Sequence, residues 1–189
     1  FSTGLRHTQT GNLMKEKRDR LFKRGRPNIR PLIIEENGKP HKDIGLLWVA
    51  YKKGSFPLFP TGMKEPEFFQ YVLKLSDEHG LYVAEDFNKE YEGSGPIAVI
   101  SVKTDGWKVE PHTNFFHWAT ARNKLRSTVA FFQMVRYQKI GCCVVYSLID
   151  SKPLFDKVQE YGVLNYVGRI PNGDMRGDEY MYMIRGKKK

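Results

Sequence analysis

The segment from Trp118 to Arg126 has the composition of an anion-binding helix start. Thr120 is placed to cap a helix that begins at Ala121, and the unpaired N–H groups and positive dipole end of such a start attract anions. Arg122, Lys124 and Arg126 add three cations there, although cations at a helix start oppose the helix dipole. The segment therefore predicts either an anion site or an ordinary capped helix with a solvated basic first turn.

Two histidines and a glutamate lie just before this segment. Glu110 and His112 precede the pair Phe115-Phe116, and His117 follows it. The histidines are five residues apart, so on one strand they point to opposite faces, which suits a single metal ion poorly. We expect no metal site here, and no Ser/His/Asp order, zinc spacing, Walker loop or dinucleotide fingerprint is present.

Positive charge is concentrated at the two ends of the chain. The net charge is +10, of which residues 1–30 contribute +7 and residues 185–189 contribute +4, so the intervening 154 residues sum to −1. This distribution predicts a basic arm over 1–28 and a basic tail over 187–189 that touch an anionic partner, either nucleic acid or an acidic protein surface. Basic ends that are merely solvated are the alternative. The predicted contacts of the arm are Lys15, Lys17, Arg18, Arg20, Lys23, Arg24 and Arg26.

Length and composition indicate one globular domain. The chain has 189 residues, 40% of them hydrophobic, enough to bury a core. No apolar run approaches the length of a membrane span, and the start lacks the apolar region of a secretory signal. Cys142 and Cys143 are adjacent and sit in an apolar run, so they are predicted as small buried hydrophobes. We therefore expect a protein of the cytoplasm that is not secreted.

Apolar periodicity predicts a strand over 29–35, a helix from Asp43 to Tyr51, and a second helix from Pro66 to Gly80. Two strands, 81–85 and 97–102, follow at hairpin spacing. A strand over 114–118 precedes the best helix of the chain, Ala121 to Tyr137. A buried strand over 142–149, a helix from Ser151 to Tyr161 and two closing strands complete the order. It predicts an α/β domain over 29–186 with a mixed, mostly antiparallel central sheet and helices on both faces.

That element order resembles the fold of the GNAT N-acetyltransferases. The helix after the central strand strengthens the resemblance: residues 151–163 match the length and closing Gly-apolar pair of the family's pattern N-x-x-A-x-x-x-Y-x-x-x-G-F. The chain is also similar to small GNAT-like proteins of short-tailed bacteriophages, among them an internal virion protein. That second likeness rests on the C-terminal helix–turn–hairpin and on the helix start Arg122-Asn123-Lys124.

The chain departs from the family pattern at three places. Ser151 stands where Asn is usual, and Val158 stands where the family's common Tyr donates a proton to the leaving thiolate. Tyr161, one turn further on, is the predicted substitute. The family's phosphate loop, Q/R-x-x-G-x-G/A, corresponds here to a segment without glycine.

The resemblance implies a cofactor, acetyl-CoA or another acyl-CoA, and direct acyl transfer in a gap between the strands that carry Phe115 and Val144. Strand N–H groups would polarise the thioester carbonyl, and a base would take the proton of the amine. The implied catalytic residues are Tyr161, Ser151, Glu110 and His117. The implied cofactor-binding residues are Trp118, Ala119, Thr120, Ala121, Arg122, Asn123, Lys124 and Arg126.

Two functions follow as hypotheses. The first is a phage-type acyl-CoA-dependent N-acyltransferase with a degenerate cofactor loop. The second is a non-catalytic GNAT-fold protein that is packaged in a virion, alongside other virion proteins, or associates with nucleic acid through its basic arm. The missing glycines favour the second hypothesis, whereas the basic helix start favours the first. A GNAT relative that modifies nucleobases would unite both observations.

Overall fold

The computed structural model of the protein describes residues 3–23, 25–57, 59–87, 95–106, 108–137 and 142–185. The helices and strands, in chain order, are α1 (Thr3–Leu21), β1 (Asn28–Pro31), β2 (Glu35–Glu36), β3 (Lys39–Pro40), α2 (Lys42–Lys52), α3 (Glu65–Glu78), β4 (Gly80–Asp86), β5 (Gly95–Asp105), β6 (Lys108–Phe115), α4 (Ala121–Tyr137), β7 (Cys142–Ser147), α5 (Lys152–Gln159), β8 (Asn165–Asp174) and β9 (Gly177–Arg185). None of the helices in these ranges is long and apolar enough to cross a membrane.

A seven-stranded sheet runs through the domain in the order β1-β4-β5-β6-β7-β9-β8. Every neighbouring pair is antiparallel except β6 and β7, which are parallel and are connected through α4. The predicted mixed, mostly antiparallel sheet is confirmed. The predicted hairpin of two strands is the pair β4–β5, which extends further at both ends than the apolar residues indicate.

Two apolar layers cover the two faces of the sheet. Ile100 of β5 belongs to the core that contains Val129 of α4 and Val158 of α5. Its neighbour Val99 points the other way and packs with Leu47 of α2 and with α3. Successive side chains of a strand alternate between the faces of the sheet, so β5 contributes side chains to both cores. The prediction of helices on both faces is therefore confirmed.

The strand before α4 lies earlier in the chain than predicted. We placed it over 114–118, but β6 begins at Lys108 and ends at Phe115, and residues 117 and 118 form a turn. The sequence of β6 is polar and contains Pro111, a residue that sheets tolerate only where a strand borders open space. The strand lacks an apolar run because the polar side chains of one face alternate along the sequence with those of the other, which include Val109 and Pro111.

A second difference concerns the start of α2. His41, rather than Asp43, is its N-cap residue, and the His41 ring accepts a hydrogen bond from the Asp43 amide. Asp43 is instead buried against Arg30, with both guanidinium nitrogens donating to its carboxylate at 2.6 and 2.9 Å. Burial alone would raise the pKa of Asp43, but hydrogen bonds from Arg30 and from the Ile33 amide hold it below its usual value. The ion pair ties α2 to β1.

Consecutive acids at the end of β4 anchor the two faces of the sheet. Glu85 accepts a hydrogen bond of 2.7 Å from Arg30 on the side of α2. Asp86 accepts one of 2.7 Å from the Nε of Arg126, which belongs to α4 on the other side. The side chains of Arg126 and Asp86 are 0% and 2% exposed, so the ion pair is enclosed by protein.

The basic N-terminal segment lies against the domain. The Arg126 guanidinium donates hydrogen bonds to the backbone carbonyls of Leu21 and Gly25. Arg18 donates to the carbonyl of Tyr161. Gly162, with φ of +65°, sits so close to α1 that a Cβ added there would lie 2.5 Å from the Sδ of Met14. The segment predicted as an arm is thus a helix and a turn with specific contacts, and the predicted tail 187–189 lies outside the described residues.

Replacing Arg126 with alanine should destabilise the fold by about 3–5 kcal/mol, because Asp86 would be left buried without its counter-ion. Urea denaturation measures the loss. Lys17→Ala is the matched control: Lys17 pairs with Glu160 at 3.2 Å on an exposed surface, so its removal should cost about 1 kcal/mol or less. Equal, small losses for both variants would contradict the role given to the buried pair.

Candidate active site

The sheet opens between β6 and β7. Their ladder consists of two pairs, Lys108 with Cys142 and Val109 with Cys143. Beyond these pairs β6 continues along β5 to Phe115, while β7 continues along β9 to Ser147. The predicted gap between the two strands is therefore present, and it begins one residue after Val109.

The gap is the floor of a cleft with a volume of about 170 Å³. Residues 111–115 of β6, residues 145–147 of β7 and Leu148 form its sides. Ser151 lines it from the N-cap of α5, Phe155 lines it from the first half of that helix, and Arg176 approaches from the turn between β8 and β9. A strand edge without a neighbour exposes alternate N–H and C=O groups. The cleft thus offers backbone donors of the kind that stabilise a developing oxyanion.

Thr120 caps α4, as predicted. Its Oγ1 accepts a hydrogen bond from the Asn123 amide at 3.2 Å, and the Asn123 side chain accepts one from the Thr120 amide at 3.3 Å. This is a capping box with asparagine in the third position. Asn123 is fully buried, so its side chain shapes the helix start.

The turn before α4 uses most of its amides internally. The Phe116 amide donates to Ile97, the Ala119 amide to Phe116, and the His117 amide to the Ser55 hydroxyl. A glycine-rich loop would leave such donors open to a diphosphate, whereas these three amides already donate hydrogen bonds within the protein. An anion at this site would depend more on side chains than an anion at a glycine loop does.

The cations of the helix start differ in what they face. Arg122 is exposed at the first turn, while Lys124 lies over the ring of Phe115 at 5.5 Å. Arg126 is one turn further on, and its charge is directed to Asp86 in the interior. Arg126 therefore cannot add charge to an anion at the helix start in the way the sequence suggests.

The remaining residues of the segment from Trp118 to Arg126 differ in packing and exposure. Trp118 donates a hydrogen bond of 2.8 Å from its indole nitrogen to the carbonyl of Pro96, and its ring packs on Phe116. Ala119 is buried and Ala121 is exposed. Of the predicted cofactor-binding residues, Ala121 and Arg122 are the exposed ones.

Of the four predicted catalytic residues, Ser151 is the one that lines the cleft within the described residues. Tyr161 follows the far end of α5, whose eight residues span roughly 12 Å, and it packs against the core. His117 is exposed in the turn before α4, with Nδ1 3.5 Å from the Ser55 hydroxyl. Glu110 lies at the mouth of the gap and is paired with Lys108 at 3.1 Å. This hydrogen bond raises the pKa of Lys108.

His112 is the residue that sequence reasoning missed. It lines the cleft, and its Nε2 is 3.5 Å from Oε1 of Glu110. Both residues lie on one face of β6, because they are two positions apart on the strand. The alternation of Val109, Pro111 and Thr113 with these polar residues is a signal for it, but only once the strand is known to start at Lys108.

Neither the buried thiol Cys143 nor a cluster of metal ligands adds a second reactive centre within the described residues. Burial raises the pKa of the Cys143 thiol to about 12, so it stays protonated at neutral pH. Within the described residues no three His, Cys, Asp or Glu side chains are grouped to hold a metal ion.

The basic residues predicted for an anionic partner divide into two groups. Lys17 pairs with Glu160, Arg18 binds the Tyr161 carbonyl, and Arg26 reaches the Ala130 carbonyl at 3.4 Å. Lys15, Arg20 and Lys23 are exposed, on a surface they share with the acids Glu16 and Asp19. Arg24 lies outside the described residues.

Several acetyltransferases are among the solved structures to which this chain is similar. The chain is similar to the ribosomal-protein α-N-acetyltransferase RimL in complex with coenzyme A, at 12% identity and a TM-score of 0.59, over 85% of this chain and 94% of RimL. A variant of the spermidine N-acetyltransferase SpeG from Vibrio cholerae matches at 10% identity and a TM-score of 0.58, over 84% and 94% of the two chains. A GNAT-family acetyltransferase from Bacillus anthracis matches at 17% identity and a TM-score of 0.56, over 87% and 97%.

These likenesses establish that the chain has the GNAT fold, as the element order predicts. No family model and no curated protein matches the sequence. The three likenesses do not concern phage proteins, so the resemblance to those proteins stays a prediction.

Thr120→Ala should reduce the free energy of unfolding by about 1 kcal/mol, because the Asn123 amide loses its acceptor at the start of α4. Thermal or urea denaturation measures the change. Thr120→Ser keeps the hydroxyl and should stay within about 0.5 kcal/mol of the parent protein. If serine and alanine were equally destabilising, the hydroxyl would not be the capping group.

Proposed function

We propose that the protein is an acyl-CoA-dependent N-acyltransferase that acylates a primary amine. The observation that carries this proposal is the parting of β6 from β7 after Val109, with His112 and Ser151 lining the resulting cleft. This opening exposes a strand edge and two polar side chains at one place, while the rest of the sheet stays paired. The fold shared with acetyltransferases supports the same chemistry.

The chain offers two regions to an acyl-CoA. The cleft between the strands fits the thioester end, because apolar residues such as Phe132 and Val145 line it and the open edge of β6 offers backbone donors. The start of α4 fits the diphosphate through the exposed Arg122, the positive end of the helix and the nearby Lys124. Because the turn amides are largely used internally, we expect these two side chains to carry most of the diphosphate affinity.

When bound, acyl-CoA supplies an activated acyl group: the amine nitrogen bonds to the carbonyl carbon, the carbon–sulfur bond breaks, and the electron pair leaves with sulfur. The open edge of β6 donates hydrogen bonds to the carbonyl oxygen as negative charge develops there. The Ser151 hydroxyl, at the start of α5, donates a hydrogen bond to the sulfur.

His112 is the group we assign to proton removal. In the tautomer with its Nε2–H toward Glu110, the Nδ1 lone pair is free to accept a proton from the amine. Glu110 orients the ring and stabilises the imidazolium. The hydrogen bond from Lys108 holds Glu110 in place at 3.1 Å, so Glu110 acts through His112 and does not take the proton itself.

A second candidate function is a non-catalytic GNAT-fold protein of phage type, associated with nucleic acid, an acidic protein or other virion proteins. The closed phosphate turn supports it, since this feature reduces the donors that a cofactor would use. The outer surface of α1 and of the turn after it, with Lys15, Arg20 and Lys23, supports it less, because two acids are interspersed among these cations.

Acetyl-CoA titration followed by calorimetry decides between the two. We expect saturable binding that weakens about hundredfold or more when Arg122 and Lys124 are both replaced with alanine, since each charged hydrogen bond contributes about 1.5–3 kcal/mol. Lys74→Ala, an exposed lysine on α3, is the control and should change nothing. His112→Gln should leave the dissociation constant unchanged while slowing transfer to an amine by roughly 10²- to 10⁴-fold.

The opposite results would reject the enzyme. An absence of binding at millimolar acetyl-CoA would remove the first function. Binding to DNA that weakens steeply with salt would then favour the second one.

A further inference from the structure

A small apolar pocket lies behind the cleft, on the face of the sheet that packs against α2 and α3. Its volume is about 20 Å³. Its apolar lining residues are Leu47, Phe56, Phe59, Val72, Leu75, Leu81 and Val99. Ser101 and Asn114 are the polar residues of the lining, and both belong to the sheet.

The pocket favours an apolar occupant. A cavity of this size has room for about one water molecule, but a water needs two to four polar partners to be stable there. The walls formed by the helices and by the loop with Phe56 and Phe59 provide none, so a water would have only the minimum of two side-chain partners, Ser101 and Asn114, both on the sheet wall. A methyl or ethyl group, by contrast, would gain contacts with every wall.

Asn114 borders both the pocket and the cleft. Among the described residues it is the one side chain that lines both spaces. It pairs with Val99 across β5 and β6, and His112 pairs with Ser101. Asn114 and His112 therefore lie on the same face of β6, two residues apart, which corresponds to roughly 7 Å along the strand.

The face of the sheet on which the pocket lies indicates whether the acyl-CoA or the acceptor amine is next to it. The start of α4, where acyl-CoA would bind, belongs to the helix layer on the opposite face, together with Phe132 and Phe155. An acyl-CoA that enters from that layer leaves the face of His112 and Asn114 to the acceptor. The apolar pocket thus lies beside the acceptor amine.

We propose that the acceptor is a primary amine with a short aliphatic group, and that this group enters the pocket past Asn114. The inference rests on the proposed function, because it uses His112 as the position of the amine. Leu75 on α3 then limits the length of the aliphatic group, since it lines the pocket from the helix side.

Two amines with the same number of heavy atoms test the proposal: n-butylamine and 3-amino-1-propanol, which ends in a hydroxyl instead of a methyl. With acetyl-CoA, we expect kcat/KM to be about tenfold or more higher for n-butylamine, the discrimination that apolar pockets provide. Leu75→Phe fills the pocket and should lower the n-butylamine value about tenfold while leaving that of 3-amino-1-propanol unchanged. Leu73→Phe, on the same helix but outside the pocket, should alter neither.

A binding measurement without acyl-CoA separates this proposal from the proposed function. We expect n-butylamine, but not 3-amino-1-propanol, to shift the methyl NMR signals of Leu47, Val72 and Val99, and Leu75→Phe to abolish the shift. Shifts without any acyl transfer would support the pocket and reject the enzyme. Transfer without preference, or without shifts, would overturn the pocket and leave the enzyme standing. If neither occurs, the space is a packing void and both proposals fail.

Discussion

The buried ion pair between Arg126 and Asp86 joins the helix layer beside the candidate site to the sheet. It joins α4 to β4, and the remaining donors of the same guanidinium hold the carbonyls of Leu21 and Gly25. An arginine side chain that is 0% exposed is stable only when a counter-ion and hydrogen-bond acceptors compensate its charge. The position of α4 over the sheet, and with it the cleft that α4 borders, depends on this one residue of an apparently basic helix start.

The opening between β6 and β7 follows from the way in which each of these strands is paired. β6 is committed to β5 along its length, and β7 is committed to β9, so the two strands share only the pairs at Lys108 and Val109. Where they part, the backbone of β6 loses its neighbour. His112 and Asn114 lie along this edge, and the face they share carries the apolar pocket. The acyl-transfer chemistry and the acceptor preference that we propose therefore derive from one interruption in one ladder.

The sequence predicts most of this fold because its apolar periodicity is strong where elements are buried. α4 begins and ends as predicted, since one face of it is packed against the sheet. The start of β6 is predicted six residues too late, because polar residues on one face of the strand alternate with Val109, Pro111 and Thr113 on the other and leave no apolar run. That shift concealed His112. The inward orientation of the Arg126 side chain is not predicted either, because the local sequence does not show that Asp86, forty residues earlier, is its partner.

Hydrogen exchange of the β6 amides tests the central claim, that β6 and β7 are separated beyond Val109 and that acyl-CoA occupies the gap. We predict that the β6 amides that point away from β5 exchange quickly between His112 and Phe115 in the free protein and slow down when acetyl-CoA is added. The Val109 region should be protected in both states. Uniform slow exchange along all of β6 without acetyl-CoA would mean that the strands are paired throughout, and would contradict the account.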